Sequence, residues 1–414
     1  MAQHAGRRHL LLPVTFFWVF FGLASVQIFV VPYMDKELGV SRLGAVTVIA
    51  SVYLVLGIAR FFVSHVIRRI GKKATILIGV CGYVLFPILL LFSRGFGSAL
   101  CASFSLGIGG ALLWTASSAQ VLDVSEESAY GRASGVLQFF TTSGVLFGTL
   151  FYDFLGRRCN GAYGRAVLRL LDLSPSDAKY AVVFATAGLI GIIALLSASL
   201  IPRVQTKTES PSFREMLTFV TSRERLFAPV ILMIQFGTYG IMLTLTNQYI
   251  KGLPHGEDYW LRIHACYLGT GVAVSYLAGW ASDRIGRKNT LFLCFACAAG
   301  GLFLFSVAKS FLTFGIAAGL LGVVFGGVAP VALAYVGDIS TPENRPSVHA
   351  FVYAWRDLGF VAVSYIRLLL SEHVRTCYLI FGCVFAVVAV WMLISARAEA
   401  RRALYSAHVN TTPR

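Results

Sequence analysis

Twelve stretches of roughly 20 apolar residues follow one another along a chain of 414, at about 10–33, 44–67, 74–93, 96–121, 134–155, 179–201, 228–250, 261–281, 290–308, 311–337, 347–370 and 376–395. Each is long enough to cross a bilayer as a helix. Lipid leaves backbone polar groups nowhere else to bond, so only helices or closed barrels can span it. The runs are continuously apolar and lack the two-residue alternation of barrel strands, which predicts helices. Only 13% of the residues are charged, against about 25% in soluble domains. The expected fold class is therefore an all-α membrane protein with twelve transmembrane helices, and the bilayer is its first partner. The opening run, RRHLLLPVTFFWVFFGLASVQIFVVP, exceeds the roughly 7–15 apolar residues of a secretory signal. An uncleaved first helix is expected there.

A formal charge of +16 raises the question of nucleic acid, but the basic residues follow the loops. Most of the 35 Lys and Arg fall on the segments that share a side with the N-terminus, including Arg68, Arg69, Lys72, Lys73, Arg132, Arg284, Arg287, Lys288, Arg345 and Arg397. That bias sets topology and attracts anionic lipid. It predicts a multi-pass protein of the cell (inner or plasma) membrane with both termini cytoplasmic, and no nucleic-acid partner. The outer loop at 156–178 is also basic, and an interfacial helix over 166–173 would account for that. Eight cysteines lie mostly within spans, where a thiol behaves as a small apolar side chain. The CxxC at Cys294 and Cys297 has no His or carboxylate neighbour in sequence, so packing is expected there. No metal, cofactor or disulfide is expected.

Two charged hairpins organise the chain. GWASDRIGRK (279–288) joins two apolar runs, and SHVIRRIGKK (64–73) does the same 215 positions earlier. Two further turns, DVSEESAYGR and DISTPENR, match after the fourth and tenth runs. The chain thus reads as two related halves, an arrangement common among secondary transporters. On these features the sequence resembles the major facilitator superfamily. Gly279, Asp283, Arg284, Gly286, Arg287 and Lys288 match the family's loop motif, in its expected place between spans 8 and 9. The resemblance implies two pseudo-symmetric six-helix bundles, with a cavity lined by spans 1, 4, 7 and 10 and seams formed by spans 2, 5, 8 and 11. It also implies rocking-type alternating access. The expected divisions are bundles at 1–201 and 228–396, a cytoplasmic linker at 202–227 and a cytoplasmic tail at 397–414. Where the family pattern would place Asp and Gly in the first hairpin, this chain has Arg68 and Ser64. Ser103, Phe104 and Ser105 occupy the region where drug exporters of the family carry an Arg, and the fifth span reads GVLFG rather than an antiporter GP signature.

By that resemblance, Asp283 is expected to meet the positive N-terminal end of span 5 and to pair with Arg132, holding the inner gate shut; the bland alternative is a charged turn that only sets topology. Arg284 and Arg287 share the turn. Arg68 would be repelled from the matching helix end, so the first-half gate needs another contact. Arg60 of span 2 and Asp357 of span 11 lie at similar depth, where an unpaired charge is costly. A pair between them is one expectation; the other is that Arg356 and Asp357 are satisfied structurally while Arg60 snorkels inward. For ligand contact the candidates are Trp18, Gln27, Trp114, Gln138, Gln235, Tyr239 and Arg356, weighed against simple helix packing. His264, near the outer mouth, reads as a surface histidine.

No GxxxxGK[ST] loop is present, which argues against a self-contained nucleotide-driven pump, and no cluster of catalytic side chains suggests an enzyme. The expected function is a monomeric secondary transporter that moves a small organic solute, with proton-coupled efflux as the leading form. An uptake facilitator or symporter of the same superfamily is the alternative. A transporter-like sensor or scaffold that binds without flux is the alternative of another class.

Overall fold

The computed structural model describes residues 10–24, 26–159, 161–171, 178–204, 207–209, 211–220, 222, 225–370 and 373–411. Among these the regular structure is all helical, with no strand, and eight helices of the described residues are long and apolar enough to cross a membrane. The longest, Arg42–Leu91, departs from helical geometry at Gly71 and so supplies spans 2 and 3. Span 1 joins Leu11–Val19 to Gln27–Lys36 through a π-helical segment at Phe20–Ala24. Span 7 likewise joins Phe227–Gly240 to Asn247–Lys251 through one at Ile241–Thr246. Spans 4, 5 and 6 are Phe96–Asp123, Tyr130–Arg157 and Ala178–Ser199. Spans 8 to 12 are Gly256–Ile285, Arg287–Val307, Phe311–Ile339, Arg345–Leu370 and Val374–Thr411. The twelve form two six-helix bundles.

The paired hairpins share one backbone device. Gly71 and Gly286 adopt φ of +82° and +89°, a region that penalises any Cβ. They stand 215 positions apart, so the repeat read from the charged residues is also a repeat of conformation. Span 12 continues as helix through the described part of the expected tail, and Glu399 pairs there with Lys288. The amphipathic helix after span 5 runs Ala162–Leu171, four residues earlier than expected. In the central segment a second short helix, Phe213–Val220, begins with a capping box. Ser212 N–H donates to Glu215 Oε2 at 2.9 Å and Glu215 N–H to Ser212 Oγ at 3.3 Å. The Ser212 backbone amide holds the Glu215 carboxyl below its ordinary value. Of the basic residues in sequence, Arg7, Arg8, Arg223 and Arg414 lie outside the described residues.

Contacts between the bundles concentrate where span 5 meets span 8 and where span 2 meets span 11. The Gly71 and Gly286 turns share one end of the bundle, called here the basic face. The far ends of spans 5 and 8, at Arg157 and Gly256, share the opposite face.

Candidate functional site

The 5/8 seam closes on backbone. A methyl group added at Gly131 would meet the Gly279 carbonyl at 2.2 Å, and one at Gly279 the Gly131 carbonyl at 2.2 Å. At this contact Asp283 accepts from the Gly131 and Arg132 amides, both at 2.9 Å, which places a carboxylate on the positive end of span 5. Its close side-chain partner is Arg287, at 2.5 Å; the exposed Arg132 side chain stays at 3.8 Å. Arg287 also pairs with Asp338 at 2.9 Å. Arg284 turns away from the seam and lies exposed over the Trp280 ring, 4.1 Å from its centroid. Deeper in the seam, Thr142 and Ser275 share a hydrogen bond of 3.1 Å.

The 2/11 seam is held differently. Arg60 Nε donates to Asp357 Oδ2 at 2.7 Å, and neither side chain has any solvent exposure. Arg356 reaches the other oxygen, Oδ1, with Nε and Nη2 at 3.2 Å. One carboxylate therefore serves two guanidiniums. Arg60 Nη1 lies 3.4 Å from Thr115 Oγ1 of span 4; it does not snorkel. At the basic face Asp123, which ends span 4, pairs with both Lys72 and, at 2.8 Å, Arg345. Arg345 also contacts the Tyr130 hydroxyl. Arg68, where the repeat would place an acid, is exposed; the cross-bundle contact has moved to Asp123. Phe213 of the central segment covers this seam, its ring 5.3 Å from Phe61 and 5.1 Å from Phe351.

Between the seams lies a cavity of about 70 Å³, lined mainly by aromatic and apolar side chains with Gln27, Thr141, Gln138, Gln235 and Arg356. Drug-sized ligands occupy pockets of about 300–1,000 Å³, so this is a nearly closed state. Gln27 accepts from the Tyr53 hydroxyl at 2.8 Å. Gln235 Oε1 is buried without a hydrogen-bond partner among the described residues. Tyr239 stacks on Phe325 at 5.5 Å, and Trp114 takes Phe16 and Phe20 edge-on at 5.0 and 5.4 Å.

Six of the seven candidate contact residues border this space; Trp18 does not. It packs edge-on against Phe17 and Phe21. Phe16 and Phe20, at i and i+4, take the inward side, and Trp18 is about 200° round the helix from them. Tyr53, Tyr83, Phe236 and Phe325 line the cavity without having been singled out in sequence. For Tyr353 and His349, also missed, a signal existed. They stand four and eight residues before Asp357 on one face of span 11, and His349 stacks on Tyr353 at 4.2 Å. His264 corrects the expectation of a surface residue: it is 2% exposed, stacked 5.1 Å from Trp260. Helical spacing buries it between Trp260 and Tyr267. Cys294 is buried and both CxxC thiols are free. Among the described residues no cluster of His, Cys and carboxylates could hold a metal.

On the opposite face a wide recess of about 600 Å³ separates Asp153 and Arg157 of span 5 from Tyr259, Leu261 and Arg262 of span 8, with His255 also on its wall. The 5/8 seam is thus shut at the basic face and parted at the other.

The family model for the Major Facilitator Superfamily matches residues 14–261 and 226–409. The chain belongs to that superfamily. It is therefore a multi-pass membrane transporter of a family that does not perform enzymatic chemistry. A relative in Bacillus subtilis (strain 168), multidrug resistance protein 1, is 28% identical over 171 residues, 41% of this chain and 44% of that protein. The alignment thus spans less than half of that relative. Among solved structures, the Escherichia coli fucose:proton symporter FucP superposes with a TM-score of 0.72 at 16% identity, over 94% of this chain and 98% of that one. The human organic anion transporter MFSD10 gives 0.69 at 14%, over 93% and 99%. At such identities the likeness is one of fold.

Proposed function

We propose that this transporter exports a small amphiphilic organic solute across the cell membrane in exchange for protons, by alternating access, with the basic face and both termini in the cytoplasm. The observation that carries the reading is the Arg60–Asp357–Arg356 cluster, in which one buried carboxylate ties the 2/11 seam to the wall of the central cavity. Protonating Asp357 removes the partner of both guanidiniums at once. The same event therefore loosens the seam and changes the charge of the binding space. Asp283 on the end of span 5 acts as the latch of the basic face, and the bundles at 1–201 and 228–396 rock about the seams, linked by 202–227. The aromatic lining suits an amphiphile, and likeness to a Bacillus multidrug resistance protein supports efflux over uptake.

The reading is tested with the full chain in proteoliposomes that enclose a pH-sensitive dye. Solute added on one side is expected to move protons in the wild type, and Asp357→Asn is expected to abolish that movement while binding persists. Solute flux without proton movement would mean a facilitator. Saturable binding with no flux under any pH gradient would mean a sensor or scaffold.

A further inference from the structure

The charges around the cavity do not balance. Arg60 and Arg356 are 0% and 5% exposed, Asp357 is 0% exposed, and the two guanidiniums share this single carboxylate, so one positive charge is in excess before any contribution from His349. Arg60 Nη2 is left buried without a hydrogen-bond partner among the described residues. Among the described residues Arg356 is the only charged side chain on the cavity wall, with its guanidinium carbon 5.3 Å from the Trp114 ring centroid, 4.7 Å from Phe236 and 5.2 Å from Tyr353. An uncompensated guanidinium at that depth is costly. Rings relieve only part of the cost, because cation–π attraction is weaker than a charge-assisted bond to an anion.

We infer that the cavity selects a solute bearing one negative charge on an aromatic or apolar body, a monoanionic carboxylate being the simplest case. The carboxylate sits on Arg356 and its body lies among Trp114, Phe236 and Tyr239. A second negative charge would lack a partner, and a cation would add to the excess already present. The inference rests on the transport reading for the movement of that solute, but not for its binding.

Binding is tested by melting of the purified full chain against matched triples of one carbon skeleton, such as 3-phenylpropanoate, 3-phenylpropanamide and 3-phenylpropylammonium, in chloride and in gluconate buffers. The carboxylate is expected to bind at least about tenfold more tightly than its amide, one hydrogen-bonded charge lost, with no stabilisation by the ammonium compound. Arg356→Gln is expected to erase the preference, and Arg356→Lys to keep it in weakened form. Amide or ammonium equal to or better than carboxylate would overturn the inference, as would silence of all three, or stabilisation by chloride alone to the same extent. The wild-type comparison decides even if both variants fail to fold. Charge-selective binding without counterflow in proteoliposomes would leave the inference standing and remove the transport reading.

Discussion

The two seams between the bundles occupy equivalent places in the repeat, yet they are held by different forces. Adding the same 215 positions that relate the hairpins carries Arg60 to Ser275, and Thr142 to Asp357. The 2.7 Å ion pair of one seam thus stands where the other has a 3.1 Å bond between two hydroxyls. The difference continues along the seams. Gly131 and Gly279 bring backbones together in the 5/8 seam, whereas a methyl group at Gly57 in the 2/11 seam would meet the Ala354 carbonyl at an ordinary 3.6 Å. Asp283 caps a helix end on one side, while Asp123 holds Lys72 and Arg345 on the other. The 5/8 seam works by close approach, which no change of protonation at its hydroxyls disturbs. The 2/11 seam works by charge, through the ion pair of Arg60 with Asp357. One seam is thus held by close backbone approach with Asp283 at its end, and the other by a buried ion pair.

The largest expected effect comes from breaking the ion pair one-sidedly. Asp357→Asn leaves two buried guanidiniums without their counter-ion and should cost about 3–5 kcal/mol of stability, read by chemical unfolding in detergent. Copying the hydroxyl pair of the other seam, Arg60→Ser with Asp357→Thr, removes both Arg60 and its carboxylate and should cost less than Asp357→Asn alone. A double variant worse than the single one would show that the pair is not what holds this seam.

Next comes Gly279→Ala. The added methyl meets backbone rather than a yielding side chain, so a penalty of roughly 1–3 kcal/mol is expected, together with loss of the shut basic face in cysteine crosslinking between spans 5 and 8. Gly57→Ala, its counterpart test in the 2/11 seam, should stay within about 0.5 kcal/mol. Equal penalties at the two positions would erase the distinction between seams.

A smaller shift is expected from Asp283→Asn. It removes the negative charge from the end of span 5 while keeping one acceptor, worth about 1 kcal/mol, or roughly fivefold in the population of the shut basic face. Reactivity of a cysteine placed at Ser282, 2% exposed, with a water-soluble maleimide would rise accordingly. No rise would reduce Asp283 to a topological charge.

Much of this architecture was legible in sequence because lipid makes it so. A continuous apolar run can only span, and a charge inside one needs a partner, which is why Arg60 and Asp357 could be singled out together. The hairpins were legible because Gly71 and Gly286 sit among basic residues that cannot enter the membrane. What sequence could not supply was the rotation of each helix about its axis. Trp18 and Phe20 are equally plausible cavity residues on paper, and the π-helical segment at Phe20–Ala24 alters the helical count just there. Tyr83 and Phe325 lie in spans where aromatic residues are common, and only the packing of spans 3 and 10 brings them to the cavity wall. The relocation of the first-half contact from Arg68 to Asp123 was also hidden, since it depends on which loop end reaches Arg345.

The central claim is that the two faces open alternately and that the charge on Asp357 biases which is open. Distances between spin labels at Glu126 and Arg284 on the basic face, and at Arg157 and Arg262 beside the opposite recess, test it without knowledge of the solute. Asp357→Asn, which removes the charge, is predicted to lengthen the first distance and shorten the second. Two distances that stay fixed under this change, or that move in the same direction, would contradict the account.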